Sequence, residues 1–174
     1  SGSTFKIIVG AAALEERIAS ANLTVLSQGG LNVNGYIFPD WKAGGHGLAN
    51  ITKALAESVN TYFYYLALDD FAGHQGLGLE RLLKYFQAFG LGQALGLDLR
   101  GERSGFLPNP KWKEQVENEA WYPGDTLHLV IGQGDLLVTP LQVAAFTMAV
   151  ANGGTLFKPE LLEEIIDVNT GERQ

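Results

Sequence analysis

Apolar residues recur along much of the chain at spacings of three and four, which is typical of helices. The first group stands at i, i+3, i+4, i+7 and i+8 and consists of Phe5, Ile8, Val9, Ala12 and Ala13. Later groups predict a second helix marked by Leu48, Ile51 and Leu55, a third from about Thr61 to Leu68, and a fourth with Leu79, Leu82, Leu83 and Phe86. Gly90 then stands where helices commonly end.

A fifth helix is predicted from its start signal. Thr139 is a favourable N-cap, Pro140 suits the first helical position, and Gln142 follows the cap by three residues. This helix should end at Asn152-Gly153-Gly154. The pattern therefore predicts a chain in which helices predominate.

Three stretches lack a helical period. Ser27 to Gly47 contains many glycines and predicts irregular structure, with a short strand near Tyr36 to Phe38. Prolines interrupt the stretch from Pro108 to Gly124, which also predicts irregular structure. Leu161 to Ile166 resembles a strand that enters a hairpin turn.

Composition and charge narrow the functional classes. Apolar residues make up 46% of the 174 residues and charged residues 18%, which is typical of a folded globular protein. The net charge of −7 argues against a nucleic-acid partner. No cysteine is present, so disulfides, thiolate nucleophiles and cysteine zinc sites are excluded. No apolar run reaches the roughly 18 residues needed to span a membrane.

Ser3 and Lys6 are the first candidates for catalysis. Their spacing at a helix start places both side chains on one face, about one turn apart. A serine hydroxyl becomes a strong nucleophile when a nearby base accepts its proton, and a neutral lysine amine can be that base. Burial beside the apolar face would lower the pKa of the lysine amine.

Ser58-Val59-Asn60, between two predicted helices, is a second candidate. It offers a hydroxyl that could relay protons and an amide that could hold a substrate carbonyl. The same pattern occurs in Ser20-Ala21-Asn22, only 17 residues after Ser3. The alternative interpretation of either serine is an N-cap or turn residue.

The order of these motifs resembles a known family. Ser-x-x-Lys followed by Ser-x-Asn is typical of penicillin-binding proteins and class A β-lactamases. The resemblance extends through Gly2-Ser3-Thr4-Phe5-Lys6, Ser58-Val59-Asn60-Thr61-Tyr62-Phe63-Tyr64, Trp121-Tyr122-Pro123-Gly124-Asp125-Thr126, Ile131-Gly132-Gln133-Gly134, Thr139-Pro140-Leu141-Gln142 and Ala151-Asn152-Gly153-Gly154. The chain thus resembles the transpeptidase domain of class B penicillin-binding proteins, and among them the elongation-type penicillin-binding protein 2 group.

The resemblance implies roles for the matching residues. Ser3 would be the acyl-enzyme nucleophile that attacks the D-Ala-D-Ala bond of a peptidoglycan stem peptide, and Lys6 would be its general base. Ser58 would relay protons to the leaving D-alanine, and Asn60 would bind the substrate amide and orient Lys6. β-Lactams would acylate Ser3 as substrate mimics. Four further residues are interpreted as substrate-binding or supporting: Asp125, Thr126, Gln133 and Gly134.

The resemblance also implies an α+β fold of the penicillin-binding protein and β-lactamase type. The family's Lys-Thr-Gly motif is absent, because the single Thr-Gly pair, Thr170-Gly171, follows Asn169. We therefore expect residues 1–174 to be a partial transpeptidase domain, mainly the α-helical subdomain with few short strands. The N-terminal strands and the Lys-Thr-Gly sheet would be missing, and residues 1–174 alone would be inactive.

Metal chemistry is not expected. Asp40-Trp41-Lys42 and Gly45-His46-Gly47 resemble a segment that holds a metal in some elongation-type enzymes. Without cysteine, Asp40 and His46 lack a convincing set of further ligands. The sequence predicts no metal and no cofactor, and it favours turn or packing roles for His74 and His128.

Two rival functions stay open within the resemblance. A β-lactamase would need a carboxylate that activates water for deacylation, and no residue specifically marks one. A non-catalytic β-lactam sensor or binding module of the same fold is the alternative to an enzyme. For the full-length protein, the resemblance implies a membrane anchor, a catalytic domain on the periplasmic side of the bacterial cell membrane, and partners among cell-wall elongation proteins.

Overall fold

The structure is a computed structural model that describes residues 2–69, 73–98, 100–162, 164, 166–168, 170–171 and 173. After a 3₁₀ turn at Gly2–Phe5, the helices are α1 (Lys6–Glu15), α2 (Ile51–Ala56), α3 (Asn60–Ala67), α4 (Gly78–Ala88), α5 (Pro110–Glu117), α6 (Pro123–Val130) and α7 (Pro140–Ala151). The strands are β1 (Val25–Ser27), β2 (Gly30–Val33), β3 (Tyr36–Pro39) and β4 (Gly47–Ala49). In the described part of the chain no helix is both long and apolar enough to cross a membrane.

Helix α1 forms the centre of the core. Ile8, Val9, Ala12 and Ala13 are fully buried, and the helix packs against α2, α3 and α4. Gly10 permits the close approach of α2, because a β-carbon at this position would lie 3.3 Å from the side chain of Ile51. The apolar face predicted from the sequence is therefore the face around which the other helices assemble.

The segment from Ser27 to Gly47 is more regular than its composition predicts. Strands β1 and β4 form one antiparallel pair, and β2 and β3 form another. Asn34 and Gly35 join β2 to β3 with φ values of 52° and 88°, the left-handed conformations that a tight hairpin turn requires. The strand predicted near Tyr36 is confirmed as β3, whereas the irregular structure predicted for β2 is wrong. Leu48, which the apolar spacing assigned to the second helix, lies in β4 instead, and α2 begins at Ile51.

The irregular structure predicted between Pro108 and Gly124 is also wrong, because two helices occupy much of this stretch. Pro110 and Pro123 are the first residues of α5 and α6. A proline is tolerated there since the first helical N–H has no partner within the helix. Asn109 caps α5 through its side-chain oxygen, which accepts a hydrogen bond from the Trp112 N–H at 3.0 Å.

The helix predicted after Thr139 is confirmed as α7. The Gln142 N–H donates to Thr139 Oγ1 at 3.1 Å, and the Thr139 N–H donates to Gln142 Oε1 at 2.9 Å. After α7, near the C-terminus, part of the strand predicted over Leu161 to Ile166 lies outside the described residues. In the part that is described, Ile166 forms a single bridge with Arg173.

Candidate active site

Ser3 and Lys6 lie at the start of the first helical segment. Ser3 is exposed in the 3₁₀ turn, while Lys6 is the first residue of α1 and is only 1% exposed. The hydroxyl of Ser3 is therefore accessible to solvent, whereas the amine of Lys6, one turn away, is almost completely buried. This combination suits an accessible nucleophile with a desolvated base.

The buried amine of Lys6 has uncharged hydrogen-bond partners. Lys6 Nζ donates to the Ser58 carbonyl oxygen at 2.9 Å, to Ser58 Oγ at 2.9 Å and to Asn60 Oδ1 at 2.5 Å. The ring of Phe63 lies on another side, with its centroid 5.4 Å from Nζ. The Ser-x-Asn motif therefore surrounds the amine that the Ser-x-x-Lys motif supplies.

Ser58 links the lysine to the candidate nucleophile. Ser58 Oγ donates a hydrogen bond to Ser3 Oγ at 2.8 Å and accepts one from Lys6 Nζ. The hydrogen bonds described among these groups thus run from Ser3 through Ser58 to Lys6. Because hydroxyl hydrogens rotate, the same chain can carry a proton in either direction.

The backbone of Ser58 is in an unusual conformation. Its φ is 56°, in the left-handed region that non-glycine residues rarely adopt. Ser58 lies between α2 and α3, where the buried Val59 precedes the first residue of α3. Such local strain is commonly retained where the resulting side-chain direction serves a site.

Asn60 begins α3 and makes hydrogen bonds on both sides of its amide. Its Oδ1 accepts from Lys6 Nζ, and its Nδ2 donates to the carbonyl oxygen of Pro39 at 3.1 Å. These two partners fix which end of the amide is oxygen and which is nitrogen. The end of β3 therefore holds Asn60 in the orientation that lets it face Lys6.

The environment of Lys6 favours its neutral form. Burial lowers the pKa of the Lys6 amine to about 8, although the negative charge of Asp40 acts in the opposite direction. A lysine with this pKa has an appreciable neutral fraction near neutral pH and can then accept a proton. The sequence-based expectation of a lowered pKa agrees with this environment.

Gly132 supports the loop that carries Ser3. The Gly2 N–H donates to the Gly132 carbonyl oxygen at 3.0 Å, and Gly132 has a φ of 73°. A β-carbon on Gly132 would collide with the Gly2 carbonyl oxygen, so no other residue fits here without a shift of the backbone. The sequence suggested no separate role for Gly132, although it belongs to the quoted Ile131-Gly132-Gln133-Gly134 motif.

The four residues interpreted as substrate-binding or supporting lie in and just after the α5–α6 region. Asp125 accepts hydrogen bonds from Lys113 Nζ at 2.8 and 2.7 Å, and Thr126 Oγ1 accepts one from Trp121 Nε1 at 2.9 Å. The Gln133 N–H donates to the His128 carbonyl oxygen at 2.9 Å, and both Gln133 and the next residue, Gly134, are exposed. Among the described hydrogen bonds, none joins these four residues to Ser3, Lys6, Ser58 or Asn60.

Asp40 and His46 do not fit a metal site. Asp40 accepts hydrogen bonds from Ser27 Oγ and from both the N–H and the hydroxyl of Thr61. The Nδ1 atom of His46 lies 2.9 Å from Glu57 Oε2. His46 Nε2 is buried without a partner among the described residues, but one free nitrogen is far short of a tetrahedral ligand set. Within the same residues, no group of three or more candidate ligands occurs.

Sequence reasoning missed Pro39 as a site-forming residue, and it considered Asp40 as a metal ligand without indicating its contact with the start of α3. The two residues lie at and just after the end of β3 and contact Asn60 and Thr61, which are 21 positions away along the chain. A sequence offers little sign of such long-range contacts. The Asn34-Gly35 pair could have indicated the hairpin that delivers them, since this pair favours a tight two-residue turn.

Comparison with known proteins identifies the family of this chain. Residues 1–174 match the family of penicillin binding protein transpeptidase domains. The peptidoglycan D,D-transpeptidase MrdA of Escherichia coli is 37% identical over 162 residues, which are 92% of this chain and 24% of that protein. The chain therefore spans about a quarter of the length of this relative and belongs to the penicillin-binding protein transpeptidase family.

Solved structures of relatives show the same fold. Penicillin-binding protein 2 of Helicobacter pylori in complex with MreC aligns with a TM-score of 0.81 and 36% identity, over 98% of this chain and 30% of that one. Penicillin-binding protein 3 of Mycobacterium tuberculosis in complex with ampicillin aligns with a TM-score of 0.76 and 27% identity, over 99% of this chain and 34% of that one. The predicted α+β transpeptidase fold and the predicted family are confirmed.

Proposed function

We propose that this chain carries the acylating centre of a peptidoglycan D,D-transpeptidase. The hydrogen-bonded series from Ser3 Oγ through Ser58 Oγ to Lys6 Nζ is the observation that carries the proposal. It joins an exposed hydroxyl to a buried amine with a lowered pKa, as nucleophilic catalysis by serine requires. The activity of the Escherichia coli relative supports the choice of reaction.

The acylation step moves one proton along this series. Ser3 Oγ attacks the carbonyl carbon between the two D-alanines while its proton passes through Ser58 to neutral Lys6. The Ser3 N–H, at the start of the helical segment, is one donor to the developing oxyanion. When the tetrahedral intermediate collapses, the C–N bond breaks and the proton returns through Ser58 to the amine of the leaving D-alanine.

The second half of the reaction reverses the proton flow. The amine of an acceptor stem peptide attacks the Ser3 ester, its proton passes to Lys6, and a new peptide bond forms as the ester C–O bond breaks. Ser3 regains its proton from Ser58. Asn60 keeps Lys6 in place in both halves, and its side-chain amide would bind the substrate amide.

The partners follow from the same relatives. We infer that the stem peptide and β-lactams are ligands of this centre, since the Mycobacterium tuberculosis relative binds ampicillin. The complex of the Helicobacter pylori relative with MreC supports an MreC-type partner for the full-length protein. The membrane anchor and the periplasmic location of the catalytic domain stay predictions from the family resemblance. Co-purification of the full-length protein with an MreC-type protein from a membrane extract tests the inferred partner, and failure to co-purify would contradict it.

Covalent labelling tests the proposed reaction. A fluorescent penicillin should attach to Ser3 in the protein that carries this chain, and Ser3→Ala should abolish the labelling. Ser20→Ala is the matched control, because Ser20 begins the second Ser-x-Asn pattern, and this variant should label normally. A label that peptide mapping assigns to Ser20 or Ser58 would contradict the assignment.

Turnover separates the transpeptidase from its rivals. An enzyme of the proposed class should release D-alanine from a D-Ala-D-Ala peptide and join the acyl group to an acceptor amine. Stoichiometric labelling without any reaction on the peptide would instead indicate a β-lactam sensor. Rapid hydrolysis of the penicilloyl ester would indicate a β-lactamase.

A further inference from the structure

Asp40 is a buried carboxylate that the proposed reaction does not use. It is 8% exposed and follows β3, directly after the Pro39 carbonyl that binds Asn60. Its Oδ1 accepts from the Thr61 N–H at 3.0 Å, and its Oδ2 accepts from Ser27 Oγ at 2.7 Å and from the Thr61 hydroxyl. These donors come from β1 and from α3, the helix that begins at Asn60.

These contacts join three segments of the chain. Ser27 ends β1, Asp40 follows β3, and Thr61 is in the first turn of α3. The backbone N–H of Asp40 also donates to the Gly29 carbonyl oxygen at 2.9 Å, which fixes the carboxylate relative to the hairpin. A carboxylate at a helix start also interacts favourably with the helix dipole.

The neighbouring residue completes a two-point attachment. Pro39 and Asp40, which are consecutive, bind Asn60 and Thr61, which are also consecutive. Asn60 in turn accepts the 2.5 Å hydrogen bond from Lys6. Any shift of the start of α3 would therefore change the position of the group that holds the lysine amine.

We propose that Asp40 is a positioning residue, which holds the start of α3 through its buried carboxylate so that Asn60 and Ser58 stay against Lys6. It fills this role by hydrogen bonds rather than by holding a metal, in agreement with the poor ligand set around it. This inference rests on the proposed function, because its consequence is measured as acylation of Ser3.

The charge of Asp40 gives the proposal a second consequence. Burial alone would raise the pKa of Asp40, but hydrogen bonds from Thr61 and Ser27 more than offset this, so its pKa is lowered and it stays ionised. Its negative charge raises the pKa of Lys6 against the larger effect of burial. The other titratable groups around Asp40 are Tyr64 on α3, which burial keeps neutral by raising its pKa to about 12, and His46, beyond Ser27 and beside Glu57.

The experiment measures the rate of labelling by a fluorescent penicillin against pH in the protein that carries this chain. Asp40→Ala removes both the hydrogen bonds and the charge, and it should lower the rate about 10²-fold, the size of effect that misplaced catalytic groups produce. Asp40→Asn keeps the shape and the oxygen that accepts from the Thr61 N–H, but it loses the charge, and its amide nitrogen cannot accept from the Ser27 and Thr61 hydroxyls. The labelling rate of Asp40→Asn should fall less than that of Asp40→Ala. Because the negative charge of Asp40 raises the pKa of Lys6, its loss should lower that pKa, and the labelling rate of Asp40→Asn should begin to rise at a lower pH than that of the wild type.

A matched control separates positioning from general damage. Glu102 is another carboxylate that accepts hydrogen bonds from backbone N–H groups, those of Leu95, Gly96 and Leu97, but in a loop outside the site. Glu102→Gln should leave both the rate and the pH profile unchanged. Ser27→Ala, which keeps the carboxylate and removes one donor, should cause a smaller loss than Asp40→Ala.

The outcomes distinguish this proposal from the proposed function. A wild-type protein that is not labelled on Ser3 would overturn the proposed function and this inference with it. A wild-type protein labelled on Ser3, together with a folded Asp40→Asn variant of unchanged rate and unchanged pH profile, would overturn the role of Asp40 alone. Should Asp40→Ala fail to fold, the pH profile of Asp40→Asn decides.

Discussion

Two buried lysines in this protein have opposite environments. Lys6 and Lys113 are 1% and 7% exposed, and each amine lies 5.4 Å from the centre of an aromatic ring. Burial lowers the pKa of Lys6 to about 8, because its direct partners are uncharged. The pKa of Lys113 is raised, mainly by its hydrogen bond to the carboxylate of Asp125.

Two features separate these lysines: Lys6 lies deeper in the protein than Lys113, and of the two Lys113 alone is paired directly with a carboxylate. A directly paired carboxylate keeps Lys113 as a permanent cation that ties α5 to the start of α6. Neutral oxygens satisfy Lys6 without compensating its charge, so its proton is easier to lose. Asp40 acts on Lys6 through its negative charge, which moderates the effect of burial rather than cancelling it. Lys113 is therefore suited to a structural role and Lys6 to proton transfer.

Replacing each lysine with methionine should give the largest difference between the two sites. Lys6→Met keeps length and apolar packing but removes the base, so the rate of penicillin acylation should fall by about 10²–10⁴-fold. Lys113→Met should leave acylation close to wild type while lowering the free energy of unfolding by at most about 1 kcal/mol, because Asp125 is partly exposed and keeps the hydrogen bond from the Tyr122 N–H. Labelling kinetics and denaturant unfolding measure the two effects. Near-normal acylation by folded Lys6→Met would exclude Lys6 as the base.

Gly132→Ala should displace the nucleophile rather than the base. The new methyl group would collide with the Gly2 carbonyl oxygen, so Ser3 should move and the acylation rate should fall about 10²-fold. Gly153→Ala is a matched control, since Gly153 also has a positive φ, 90°, but no atom of the described residues lies within 4 Å of the place a β-carbon would take. Equal rates for the two variants would show that backbone strain, not the contact with Gly2, explains any loss.

Ser58 allows strain and chemistry to be separated. Ser58→Ala and Ser58→Gly both remove the hydroxyl, so both should lose acylation to a similar extent. Glycine accepts the φ of 56° freely, so Ser58→Gly should be about 1 kcal/mol more stable than Ser58→Ala. Thermal or denaturant unfolding measures the difference. An alanine variant at least as stable as the glycine variant would argue that the backbone at position 58 is not left-handed.

The smallest expected effect concerns the metal content of the purified protein. Because Asp40 and His46 are engaged by other protein groups, elemental analysis of protein purified without added zinc should find far less than one equivalent. His46→Ala should not change the metal content. A stoichiometric metal that this substitution removes would contradict the prediction.

Local signals determined how much of the fold the sequence could predict. The helix after Thr139 was predictable because its capping box lies within four residues, and the helix of Ser3 and Lys6 because its apolar period is regular. The pattern does not predict helices α5 and α6, because Pro110 and Pro123 suggest interruptions, although proline is also favoured at a first helical position. The cap at Asn109 was the available signal.

The candidate site was predictable in its residue types but not in its connections. Spacing and resemblance indicated Ser3, Lys6, Ser58 and Asn60, and the structure brings these four together. That Ser58 lies between Ser3 and Lys6 depends on a left-handed backbone, which the sequence did not indicate. The contribution of Asp40 depends on contacts across 21 residues, which no local pattern encodes.

The most direct test measures the two lysines in one protein. Carbon-13 labelling of lysine side chains allows their titration to be followed by NMR, with Lys6→Met and Lys113→Met identifying the two signals. Lys6 should titrate with a midpoint of about 8, and Lys113 above its ordinary value of 10.5. A Lys6 midpoint at or above 10.5 would contradict the claim that burial among neutral partners makes this lysine a base for Ser3.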